Sequence, residues 1–289
     1  MLHESSLLDD TLTVLERDGA AAAYQYLLAH KSQLQACSSQ LYNFLYCLAA
    51  VSNAPDEALS WMREAIVEKG YWYRPEVFDD EDLDTLREEA DFCAYRTMSH
   101  ARYYKALEQA QTRCTWQGIT QGKLALVLHG NQQNMHTDSA YWQFLAPMGY
   151  QVEYVQSKTI DSCDLYRWDD DSETQLDRVV EQIPWRDYDS RMLCGFSAGC
   201  NEILKTLLKP AVTCEKILLY SPWIPVIESR MDDLMAALSG TSIEIICGSE
   251  DRDCLPHALA LAAAADRHHL DCSFRQIAGL GHRLPESGS

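Results

Sequence analysis

The rhythm of hydrophobic and polar positions changes near residue 120. Before it, apolar residues recur at helical spacing. Leu7, Leu8, Leu12 and Leu15 share one face of a first helix, and the stretch 20–29, rich in Ala, Tyr and Leu, forms a second. A third helix is expected over 41–51, opened by Ser39 as its cap. A fourth runs from Pro55-Asp56-Glu57 to Lys69, where Gly70 stops it. Residues 92–113 read as one long helix. From about Lys123 short β-rich runs alternate with helical stretches. Strands are expected over 124–129, 152–155, 192–195, 217–220, 243–247 and 272–277, with helices near 137–147, 172–183, 198–208, 230–238 and 256–268. Apolar strands alternating with helices imply a parallel sheet covered on both faces. Ligands of such sheets bind beyond the carboxyl ends of the strands, so reactive residues should follow strand ends.

The sequence thus divides into a helical part, 1–115, and an α/β part, 116–289. In the first, Tyr42, Leu45, Tyr46 and Ala49, then Ala58, Met62 and Ala65, resemble a tetratricopeptide hairpin, a reading that offers the N-terminal helices to a protein partner. The acidic run 79–84 suits a solvated helix start.

Composition narrows the class. Hydrophobic residues are 47% of the 289, enough to bury a core. The net charge of −19 repels phosphate backbones and disfavours nucleic acid. It is spread evenly, −9 on residues 1–115 and −10 on 116–289. The 11 cysteines are scattered without a C-x-x-C pair, which fits buried free thiols in a reducing compartment. The start of the chain carries no signal-peptide pattern and no run is long enough for a membrane span. A soluble cytoplasmic protein is expected.

The chemistry gathers at strand ends. Gly195-Phe196-Ser197-Ala198-Gly199 fits Gly-x-Ser-x-Gly between a strand and a helix, the context of a nucleophile elbow. A serine needs a base, and the base an orienting acid. Asp251 follows the strand 243–247 by a short loop, with Asp253 and Glu250 as alternatives. His282, in Gly279-Leu280-Gly281-His282 after the last strand, is the candidate base. The loop after 124–128, His129-Gly130-Asn131-Gln132-Gln133-Asn134, and the start of the helix after Ser197 offer backbone N–H groups of Asn131 and Ala198 to an oxyanion. His129 is expected to shape its loop rather than react. Gln132, Trp168 and Trp223 are candidate pocket residues. Arg167 can pair with a substrate carboxylate or with the acids 169–171. His268 and His269 read as a helix end. No H-E-x-x-H or similar ligand spacing occurs, so neither a catalytic metal nor another cofactor is expected.

These motifs, in this order, resemble the α/β-hydrolase superfamily over roughly residues 120–285. Within it the chain looks like the small serine esterases of the phospholipase/carboxylesterase and dienelactone-hydrolase type. The resemblance implies an α/β-hydrolase fold of about six mainly parallel strands, preceded by an all-α segment that is not itself a feature of the family. It also implies a Ser197–Asp251–His282 triad cleaving a small carboxylic ester or thioester through an acyl-enzyme. Two other readings stay open: a helical interaction protein carrying a hydrolase-like domain of little or no activity, and a peptidase on the same triad.

Overall fold

A computed structural model describes residues 4–118, 122–137, 139–168, 174–225 and 227–285. The acids 169–171, offered above as partners of Arg167, lie outside the described residues, as does the start of the helix expected over 172–183. The chain forms two compact units. One is Met1–Ala110 together with Ile160–Leu165. The other is Gln111–Thr159 with Tyr166–Ser289.

The first unit is built from α1 (Glu4–Asp18), α2 (Ala20–His30), α3 (Ser39–Val51), α4 (Pro55–Arg63) and α5 (Ala90–Leu107). Successive members of α1 to α4 pack on one another around Leu7, Leu27, Leu45 and Met62, all fully buried. The cap of α3 is Ser38, one residue earlier than expected. Its hydroxyl accepts the N–H groups of Gln40 and Leu41. Ser39 is the first helical residue and is instead buried against Ser162 and Asp164 of the inserted segment. That segment is also held by main-chain bonds, with Cys163 N–H donating to Trp72 O (3.0 Å) and Arg74 N–H to Asp161 O (3.0 Å). The fourth helix ends its α-helical part at Arg63, and Glu64–Glu68 continues as a π-type turn. The long helix stops at Leu107, six residues short of expectation, because Arg113 and Cys114 enter a strand.

The second unit carries a seven-stranded sheet: β1 (Arg113–Cys114), β2 (Lys123–Leu128), β3 (Tyr150–Gln156), β4 (Ser190–Phe196), β5 (Lys216–Tyr220), β6 (Ser242–Gly248) and β7 (Cys272–Ile277). Their order is β1-β3-β2-β4-β5-β6-β7, and every pair is parallel except β1 with β3. The antiparallel β1 was not expected from the sequence. Two residues are too few for a periodic signal, and only pairing with Val155 and Gln156 defines it.

Alternation along each strand divides the core in two. Leu124, Leu126, Leu193, Ile217, Leu219, Ile243 and Ile245 join one cluster with residues of α6 (Leu176–Gln182), α7 (Ala198–Leu207), α8 (Met231–Ala237) and α9 (Leu255–Arg267). Ala125, Val127, Met192, Cys194, Leu218 and Ile246 join another with Trp142 and Leu145. On this second side the helix expected over 137–147 is a 3-10 segment, Tyr141–Met148. Pro147 lies inside it and lacks the N–H that an α-helix would use.

The central helix α7 is buried along its whole length, two charges included. Glu202 and Lys205 pair at 3.4 Å, and Glu202 also accepts the N–H of Leu176 (2.9 Å) and that of Gln175 at the start of α6. The carboxylate thus supplies the acceptor that the first turn of α6 lacks. Among the described residues no helix is long and apolar enough to cross a membrane.

Candidate active site

The site is assembled where strands end. β4 runs into α7 through Ser197, which holds φ 52° and ψ −123°. Such a backbone is costly for a residue with a side chain and persists only where its surroundings enforce it. Here the Ser197 N–H donates to Tyr220 O (2.9 Å), and its carbonyl accepts from Cys200 N–H (3.0 Å) and Trp223 N–H (3.2 Å). The turn is also tight. A Cβ on Gly199 would lie 2.6 Å from His129 O and 2.8 Å from Leu128 O, so only glycine lets α7 begin this close to the end of β2.

Ser197 Oγ lies 3.0 Å from Nε2 of His282, and Nδ1 of His282 lies 2.8 Å from Oδ2 of Asp251. The His282 ring packs on Phe196, centroids 5.0 Å apart. Of the three candidate acids, Asp251 is the buried one; Glu250 and Asp253 are exposed. Asp251 Oδ1 accepts Cys254 N–H at 3.0 Å, and the Ser221 hydroxyl donates to the same carboxylate. Burial opposes the charge on Asp251. The hydrogen bond and charge of His282 outweigh it, helped by Ser221 and Cys254, and the carboxyl sits below the usual carboxylate range. The sequence places Ser221 in the loop after a strand end, but its bond to the acid was not expected.

The loops bearing the acid and the base are clamped together. Ser249 N–H donates to Ile277 O (2.8 Å), and Glu250 N–H to Leu280 O (2.9 Å). A Cβ on Gly248 would fall 2.0 Å from Leu280 O, so the loop that presents His282 rests directly on that glycine.

The loop after β2 approaches Ser197 from the other side. Gly130 N–H is taken by Gln133 Oε1 at 2.8 Å. The next N–H in line is that of Asn131. Ala198 opens α7, so its N–H has no i−4 carbonyl of the helix to bond. Beneath this loop His129 is 5% exposed. Its Nδ1–H donates to Gly130 O (2.6 Å), which leaves Nε2 to accept from Gln156 Nε2 (2.9 Å) and Ser157 N–H (3.2 Å). Burial holds the imidazole neutral by pushing its pKa down to about 4.

Trp168, expected as a pocket wall, does not line an open cleft. It is 1% exposed, its indole N–H donates to His129 O (2.7 Å), and its backbone N–H donates to Asn131 Oδ1 (2.8 Å). It supports the loop from below. A large aromatic with one polar edge suits either place, and the sequence does not tell which. Gln132 is exposed on the same loop with φ 56°. Trp223 is half-buried beside Ser197, its ring edge-on to His257 at 5.0 Å. All 11 cysteines are free thiols.

Residues 3–107 match the family described as "A/B hydrolase-like, N-terminal domain". The sequence alone placed the helical part outside the features of the hydrolase family; its match is to a domain described as the N-terminal part of hydrolase-like proteins. No curated protein gives a significant match. An uncharacterized protein from Bacillus cereus ATCC 10987 is 27% identical, with 99% of this chain and 94% of that one covered and a TM-score of 0.54. Esterase PE8 (17% identical, 62% of this chain and 93% of that one, TM-score 0.47) and Zea mays acyl-protein thioesterase 2 (17%, 62% and 94%, TM-score 0.44) are more distant. The mostly parallel sheet flanked by helices is consistent with the α/β-hydrolase fold, and the helices that precede it match a hydrolase-like N-terminal domain.

Proposed function

We propose that this protein is a serine hydrolase that cleaves a carboxylic ester or thioester of a small substrate through an acyl-enzyme. One observation carries the reading: Ser197, His282 and Asp251 form a continuous hydrogen-bonded relay at strand ends, with Ser197 in a strained backbone conformation of the kind that clusters at active sites.

The steps follow from the geometry. Ionised Asp251 keeps the proton of His282 on Nδ1, so the lone pair of Nε2 faces Ser197 Oγ. The imidazole takes the hydroxyl proton as Oγ attacks the substrate carbonyl, and Asp251 stabilises the imidazolium that forms. The N–H groups of Asn131 and Ala198 receive the negative oxygen. Collapse of the tetrahedral adduct expels the alcohol or thiol, which takes the proton from Nε2. Water, deprotonated by the same nitrogen, then releases the acid and restores Ser197.

Turnover of p-nitrophenyl esters and of acyl thioesters of rising chain length tests this. The reading expects hydrolysis by the wild-type chain and a loss on the order of 10⁴-fold or more in Ser197→Ala. A folded wild-type protein inert on every ester and thioester would favour the scaffold reading instead. Cleavage confined to peptide amides would favour the peptidase.

A further inference from the structure

Three side chains of different chemistry converge behind the base. The Cys254 thiol lies 3.5 Å from Nδ1 of His282, the atom that also bonds Asp251 at 2.8 Å. The three ligand atoms, one oxygen, one sulfur and one nitrogen, all fall within 4.8 Å of one another. The relay as derived above makes no use of this thiol.

We propose that Asp251, Cys254 and His282 form an inhibitory site for a thiol-seeking divalent cation of the zinc type. The inference rests on the reading of His282 as the base for Ser197. A tetrahedral zinc with ordinary bond lengths separates a nitrogen and a sulfur ligand by roughly 3.6 Å and a nitrogen and an oxygen by roughly 3.4 Å. The Cys254–His282 spacing already fits. The Asp251–His282 pair needs to open by roughly 0.6 Å. The His282 side chain is 39% exposed, while Asp251 and Cys254 are buried.

Inhibition would come from the tautomer. An ion on Nδ1 takes the lone pair left when that nitrogen loses its proton, so the one remaining imidazole proton sits on Nε2. That nitrogen then points a hydrogen, not a lone pair, at Ser197 and cannot accept its proton. The Cys254 thiol releases its proton to solvent as the thiolate binds, so the balance is one cation bound and one proton freed.

The test uses the full chain with zinc chloride or a chelator, in wild type, Cys254→Ala, Cys254→Ser and Cys247→Ala. Each variant is compared with itself, so differences in basal rate drop out. Cys247 is the control, because its thiol also lies near Asp251 (3.9 Å) but is not one of the three ligands. The proposal expects both Cys254 variants to need about 100-fold more zinc for half-inhibition, and Cys247→Ala to behave as wild type. Equal sensitivity of wild type and the Cys254 variants overturns it. A second readout is independent of turnover: cadmium should give a thiolate charge-transfer absorbance in wild type that both Cys254 variants lack. If that band appears in a wild-type protein that hydrolyses nothing, the metal site stands and the hydrolase reading fails. If hydrolysis is present and the band is unchanged by either Cys254 substitution, the hydrolase reading stands and the metal site fails.

Discussion

His282 is tied to Asp251 through Nδ1 at 2.8 Å, and that bond decides which nitrogen faces Ser197. Asp251→Asn presents an amide that can donate to Nδ1 and so favours the wrong tautomer. We expect kcat for ester hydrolysis to fall by about 10³–10⁴-fold with little change in KM. Glu250→Gln and Asp253→Asn, on exposed side chains, should stay within about twofold of wild type. Steady-state kinetics of the three variants decide among the acids.

Acid should weaken the fold through His129. Its folded pKa of about 4 lies below the ordinary 6.5, so the unfolded chain binds a proton that the native site refuses. Stability is then full above about pH 6.5 and declines as the pH falls toward 4, by about 3 kcal/mol if this group acted alone. Asp251 acts in a lower window. Its depressed carboxyl contributes stability that is present above the ordinary carboxylate pKa and lost as the pH falls through its folded value. Urea unfolding at pH 7 and at pH 4.5 checks the upper window. His129→Asn should lose less stability than wild type between the two, although it begins less stable.

Gly248→Ala should strike activity harder than stability. Its new Cβ would sit 2.0 Å from Leu280 O, so the loop must move and take His282 with it. A misplacement of about 1 Å can cost on the order of 100-fold in rate. Kinetics set beside a thermal melt measure both effects. A variant with wild-type kcat would show that the loop does not need this contact.

Glu202 is a buried charge with several partners. Removing it in Glu202→Ala takes from Lys205 its buried counter-charge and from the first N–H groups of α6 their acceptor, and should cost about 3–5 kcal/mol in urea unfolding. Glu202→Gln keeps an acceptor oxygen and should cost less.

What the sequence made legible follows from where each signal lies. The central parallel strands β2, β4, β5 and β6 are largely buried apolar runs that stand out, and each parallel strand overlaps its expected position by several residues. Ser197, Asp251 and His282 are legible because each follows a strand end, and the fold brings such ends together. The remainder depends on long-range contacts. Trp168 reads equally as wall or support until its indole N–H finds His129 O. The cap of α3 shifts from Ser39 to Ser38 because Asp164, 125 positions away, claims Ser39. β1 exists only through β3, and Cys254 meets His282 only once two loops have folded.

The account turns on Ser197 as a nucleophile activated by His282. The most direct measurement is the intact mass of the protein after reaction with a fluorophosphonate, followed by peptide mapping. The account predicts one adduct, on Ser197, absent from Ser197→Ala and much slower to form in His282→Ala. A folded wild-type protein that takes up no label, or carries it on another residue, would contradict it.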